Sequence, residues 1–212
     1  MTDLDKTSFR LETDVSFVQL SNYIKEMGEQ LNALAAKEKE HAKTFIGPGS
    51  TLRQIATSHI FDHDFPNALH YSYVVLLFIA IEDGLRKTCD FIQQSNTLPL
   101  KAKHLKGDAI ERCMLFLDKL AGIPRSDLHH WHQVSDLSKV RHCVVHSSGR
   151  VALSRDKEYL LELVQKRPDH LKLSNHGNSE DKVLIVEHSY CILSTDDARN
   201  FFKEIFQKAR IT

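Results

Sequence analysis

Between residues 8 and 43 the apolar side chains Phe17, Leu20, Ile24, Met27, Leu31 and Leu34 recur at alternating steps of three and four. That period draws one apolar stripe along a helix of roughly ten turns. Such a stripe is not stable facing water, so the chain is committed to packing helix on helix. A bundle within one chain satisfies it, and an intermolecular coiled coil is the alternative. Gly28 weakens the helix slightly, Lys37-Glu38-Lys39-Glu40 is solvated surface, and Gly47-Pro48-Gly49 ends the run.

The rest of the chain supplies the partners. Residues from 50 to about 64 read as a loop with one short helix. Pro66, favourable in a first turn, opens a second major helix that runs to about Gln94. Its stretch 73–81 is apolar on nearly all sides and is expected to be the most buried element. A third helix is expected over 107–121, with Ile110, Met114, Leu117 and Leu120 on one face and Gly122 and Pro124 as its stop. Ser126 and Asp127 then start a fourth, carrying Trp131, Val134, Leu137, Val140 and Val144 inward.

After Gly149 the pattern shortens. A helix over 156–165 precedes Pro168, and β-prone runs at 171–173 and 183–186 flank the turn signal Asn175-His176-Gly177-Asn178-Ser179. Ser194 and Asp197 read as a loose capping box for a last helix that buries Phe201, Phe202, Ile205, Phe206 and Ala209. The expected fold is mainly α, a bundle of four or five helices with a small β-hairpin near the C-terminus. One domain across 1–212 is expected, with core helices over about 8–149 and a helix–hairpin–helix extension over about 150–212.

Charge narrows the function. With 28 basic and 28 acidic residues the formal net charge is zero. That argues against a long electrostatic footprint on duplex nucleic acid, while leaving room for a cleft that accepts a few phosphates. The four cysteines, at 89, 113, 143 and 191, form no C-x-x-C pair, and three sit in apolar helical patterns. With no secretory leader visible, a cytoplasmic location is expected. The apolar run 74–81 is too short to span a bilayer, and no membrane association is expected.

One stretch carries chemistry: Leu137-Ser138-Lys139-Val140-Arg141-His142-Cys143-Val144-Val145-His146-Ser147-Ser148-Gly149. It reads as the last turns of a helix stopped by Ser-Ser-Gly, with an arginine and two histidines set among valines. Arg141 is a permanent cation able to grip a phosphate bidentately. His142 and His146 exchange protons near neutral pH. A cationic clamp beside a proton carrier is what phosphodiester cleavage needs when no metal takes part. On one helix His142 and His146 are nearly stacked, whereas Arg141 and His146 lie about 140° apart around the axis. Two copies of the helix meeting across a two-fold axis would bring both into one groove.

Other pairings are weaker. The 11 arginines and 13 histidines make about 0.7 Arg–His matches at one fixed spacing by chance. Arg125 and His130 are such a match, without the apolar interior between them. His59 and His63, four apart, lack further ligands for a metal. A site using His142 and His146 with His129 or His132 is a third possibility. Cys143 suits packing better than nucleophilic attack.

Arg141, the polar residue directly after it, two valines, His146 and the small-residue exit resemble the Arg-x4–6-His signature of the HEPN superfamily, small all-α domains of which many are metal-independent endoribonucleases. The likeness is sharp over this helix and architectural elsewhere. It implies an RNA substrate, no cofactor, and a homodimer through the helix carrying Arg141 and His146. Arg141, His146 and His142 would be the catalytic residues and the product a 2′,3′-cyclic phosphate. Glu82, at the edge of the apolar helix, would orient the arginine or a histidine, or else face solvent with Asp83, balanced by Arg86 and Lys87; Ser147 would support phosphate contact. Lys101, Lys103, Lys106 and Lys139 are candidates for the RNA rim. An antitoxin or antiviral-defence partner is the setting the resemblance suggests. Some HEPN toxins carry a tyrosine two residues after the histidine, modified by a partner nucleotidyltransferase; that position here is Ser148. The alternative expectation is a non-catalytic HEPN-like module that binds protein or nucleotide.

Overall fold

The computed structural model describes residues 2–45, 47, 49–175 and 181–211. The chain is mainly α: α1 (Asp3–Thr44), α2 (Ser50–His59), α3 (Phe65–Ser95), α4 (Ala109–Lys119), α5 (Trp131–Ser147), α6 (Lys157–Lys166) and α7 (His188–Lys208). The strands β1 (Leu171–Asn175) and β2 (Lys182–Val186) pair antiparallel, Leu171 opposite Val186 and Asn175 opposite Lys182. The hairpin turn expected at 176–179 lies outside the described residues, as does Pro48 of the expected helix stop.

Several boundaries differ from expectation for local reasons. α1 begins earlier because Thr2 and Asp5 cap it reciprocally, Thr2 N–H donating to Asp5 Oδ2 at 2.8 Å and Asp5 N–H to Thr2 Oγ1 at 3.3 Å. The stretch expected as a loop with one short helix is helical throughout: α2 runs through a π-helical turn, Ile60–Asp64, into α3. There Phe65 N–H bonds the Ile60 carbonyl, one residue further back than in an α-helix. That wider turn accommodates Pro66, which has no N–H and whose ring would crowd the preceding turn. Ser126 and Asp127 do not open α5; they form a short 3₁₀ turn over Arg125–Asp127. α4 starts on a full capping box from Asp108 and Glu111. Ser194 is buried inside α7 rather than capping it, because the packed Tyr190 and Cys191 extend the helix back to His188.

Two compact units share the chain, and α1, α3, α5 and α7 each contribute to both. The first unit comprises residues 1–20, 76–138 and 193–212. Its core is aromatic: Phe9 stacks on Phe91 at 4.5 Å between centroids, and Phe17 meets Phe202 at 5.3 Å. Gly84 lets Phe202 approach the backbone, since a Cβ there would sit 2.8 Å from the ring. Asp14 receives two bonds from Arg199, at 2.8 and 3.1 Å, the paired geometry that makes such bridges specific.

The second unit comprises residues 21–75 and 139–192. Ile24, Tyr73, Val74, Val140, Cys143, Leu160, Leu184 and Val186 form its interior. The β2 backbone is pinned from α3: His70 Nδ1 donates to the Val186 carbonyl at 2.6 Å, and Val186 N–H donates to Asn67 Oδ1 at 3.3 Å.

The 73–81 stretch is not buried all round. Tyr73, Val74, Leu77, Phe78 and Ile81 point inward, while Leu76 and Ile79 are 41% and 53% exposed. The helical run Ser50–Ser95 contains an 18-residue window of mean hydropathy 1.4, enough by length and composition to cross a membrane, and 44% of that window is buried within the protein. Its apolar face serves the core.

Candidate functional site

α5 packs by steps of three, with Val134, Leu137, Val140 and Cys143 all buried. Those steps leave Arg141 and His142 half-buried at the flank and Val145 and His146 exposed. The His142 and His146 rings lie 4.7 Å apart between centroids, tilted by 45°. The four-residue spacing therefore brings the two imidazoles together as expected.

The carboxylate beside them is Asp156, directly before α6. Its Oδ2 stands 3.3 Å from His142 Nδ1, close enough for an ion pair although not aligned as a hydrogen bond. Lys139 donates to Asp156 Oδ1 at 3.1 Å, and Arg155 Nε reaches Oδ2 at 3.5 Å. Burial pushes the Asp156 carboxyl up, but the hydrogen bond and charge of Lys139 with the charge of Arg155 outweigh it and hold the group below the ordinary aspartate value. Burial holds His142 below the ordinary imidazole value, with the charges of Arg155, His146 and Arg141 acting the same way and Asp156 opposing. Lys139 also lies over the Tyr159 ring, 4.8 Å from its centroid.

The exit of α5 is built from both its sequence and its surroundings. Ser148 and Gly149 both take the left-handed conformation, φ 50° and 77°, and Gly149 N–H bonds back to the Cys143 carbonyl at 3.1 Å. Leu184 N–H of β2 donates to the Gly149 carbonyl at 2.9 Å, and Arg150 bridges to Val183. Tyr71 donates its hydroxyl to the Leu184 carbonyl, and burial pushes that phenol up to about 12. A Cβ on Gly149 would lie 1.9 Å from the Tyr71 oxygen. The C-terminal hairpin thus holds the end of the helix that carries the two histidines.

The expected residues divide between the units. Arg141, His142, His146, Ser147 and Lys139 belong to the second unit and Glu82, Lys101, Lys103 and Lys106 to the first. Ser147 is only 5% exposed, which leaves little of it for phosphate contact, and Lys139 is engaged by Asp156. Glu82 and Lys103 line a cavity of the first unit with Arg86 and Arg112. The competing match is structural: Arg125 lies over the Trp131 ring at 4.8 Å, and His130 pairs through Nδ1 with Glu204 at 2.8 Å. His59 stands 5.4 Å from His63 between ring centroids and 3.3 Å from Asp64. Among the described residues, no group of three or more His, Cys, Asp or Glu side chains converges as metal ligands would.

Asp156 is the functional candidate that the sequence reading missed. It lies beyond the helix stop, where spacing rules no longer apply, and its one visible signal was its place directly before an amphipathic helix. Comparison with family models, with curated proteins and with solved structures finds no match to this chain.

Proposed function

We propose that the protein is a metal-independent endoribonuclease of the HEPN type, cutting RNA by attack of a ribose 2′-hydroxyl on the adjacent phosphate. The reading is carried by the arrangement on α5: two imidazoles in contact, one backed by a carboxylate, with Arg141 next in sequence. An ionised Asp156 favours the His142 tautomer with its proton on Nδ1, leaving the Nε2 lone pair to take a proton. His142, kept neutral by burial, removes the 2′-hydroxyl proton. The exposed His146 protonates the departing 5′-oxygen, and Arg141 neutralises the charge building on the phosphorane. The products are a 2′,3′-cyclic phosphate and a 5′-hydroxyl. Two subunits paired through α5 would set Arg141 and His146 in one groove, and an antitoxin or defence partner fits that setting.

The engagement of Lys139, Arg155 and His142 by one carboxylate also favours a second reading, a non-catalytic HEPN-like module whose polar cluster only ties α5 to α6. Incubation of single-stranded RNA with protein in excess EDTA separates the two. Cleavage by the wild type that falls by about 100-fold or more in a folded His146→Ala variant supports the nuclease. Cleavage abolished by EDTA assigns a metal site instead, and no cleavage in any condition leaves the binding module.

A further inference from the structure

The first unit contains two thiols set one behind the other where α3 packs on α4. Cys89 is 1% exposed, and its Sγ–H points to the Cys113 carbonyl oxygen at 3.7 Å. That contact holds the buried Cys89 sulfur against residue 113 of the neighbouring helix. Cys113, 5% exposed, reaches a cavity of about 300 Å³ whose charged lining is Glu82, Asp83, Arg86, Lys103 and Arg112. Asp83 is engaged by Arg86 and, at 2.7 Å, by Lys87.

The two sulfurs differ in character. The hydrogen bond from Cys89 lowers the Cys113 thiol below its ordinary value; burial opposes this, and the charges of Arg112 and Arg86 assist it. The same hydrogen bond together with burial pushes Cys89 far up. An outer sulfur that lines a cavity beside Arg86 and Arg112, with an inner, more deeply buried thiol behind it, supplies the two parts that stepwise thiol oxidation uses.

We propose that Cys113 and Cys89 form a peroxide-oxidised dithiol site, Cys113 attacking and Cys89 resolving. The Cys113 thiolate attacks one oxygen of hydrogen peroxide. An S–O bond forms, the O–O bond breaks, and hydroxide leaves, to be protonated to water. Cys89 then attacks the sulfur of the resulting sulfenic acid. The S–S bond forms, the S–O bond breaks, and the hydroxyl departs as a second water with the Cys89 proton. Both thiols are oxidised by two electrons in total and the peroxide is reduced by two. The site is independent of the nuclease reading and links α3 to α4 in the oxidised form.

Peptide mapping of the folded full chain tests it. The protein is treated with hydrogen peroxide, blocked with N-ethylmaleimide under denaturing conditions and digested. The expected product is a Cys89–Cys113 cross-linked peptide that dithiothreitol removes, with Cys143 and Cys191 blocked as thiols. Cys89→Ser should stop the reaction at a Cys113 sulfenic acid that dimedone traps. Should that variant fail to fold, the wild-type map decides alone. Recovery of Cys89 and Cys113 as blocked thiols after peroxide, or a cross-link that forms only when urea is present during oxidation, would overturn the proposal.

Discussion

Two buried or half-buried imidazoles give the protein a definite response to acid. His70 is held below the ordinary imidazole value by burial, which outweighs its bond to the Val186 carbonyl, and His142 is held below it as well. In each case the unfolded chain binds the proton at a higher pH than the folded one, so the stability they contribute is fully present above about 6.5 and is lost as pH falls through the folded values. Urea midpoints should therefore drop between pH 7 and pH 5, and His70→Gln should flatten that dependence; stability that rises on acidification contradicts the assignment. At this scale the sequence was readable where chemistry is local. Arg141, His142 and His146 could be found because one helix spaces them, and Gly149 because a stop has its own signature. Asp156 could not, since what brings it to His142 is the return of the chain after the helix ends.

α5 ends where it does because its exit is held from outside. The left-handed Gly149, the Leu184 N–H bond to its carbonyl and the Tyr71 hydroxyl above it form one contact set. Gly149→Ala would combine an unfavourable φ with displacement of Tyr71, and should cost at least about 2 kcal/mol in urea unfolding, more than the strained backbone alone. A change within about 0.5 kcal/mol would show that the exit is not fixed in this way. The long helices were legible from their apolar period, and the hairpin strands from short β-prone runs on either side of a turn signal. α2 was expected only as one short helix within a loop; Leu52 and Ile55 are exposed, and no residue of the helix is buried. Its continuation into α3 was not read, because Pro66 suggested a start where the structure has a widened turn.

At the scale of the whole molecule, the division into two units was not foreseen, because it cuts through four helices rather than between them. Apolar periodicity reports that a helix has a partner face and says nothing about which cluster each end joins. With zero net charge, the proposed site would grip a few phosphates rather than a long duplex. A shared groove requires association through α5, where Val145 is exposed beside His146. Val145→Glu should convert a dimer into monomers by analytical ultracentrifugation and abolish RNA cleavage together. A wild type that cleaves RNA as a monomer contradicts the shared groove while leaving the chemistry of a single α5 in place.

That chemistry is tested most directly by the ends it leaves. RNA cut by the wild-type protein in EDTA should carry 2′,3′-cyclic phosphates and 5′-hydroxyls, and a substrate with deoxyribose at the scissile position should survive intact. Fragments ending in 3′-hydroxyl and 5′-phosphate, or cleavage on the 3′ side of a deoxyribose, would contradict an imidazole-driven attack by the neighbouring hydroxyl.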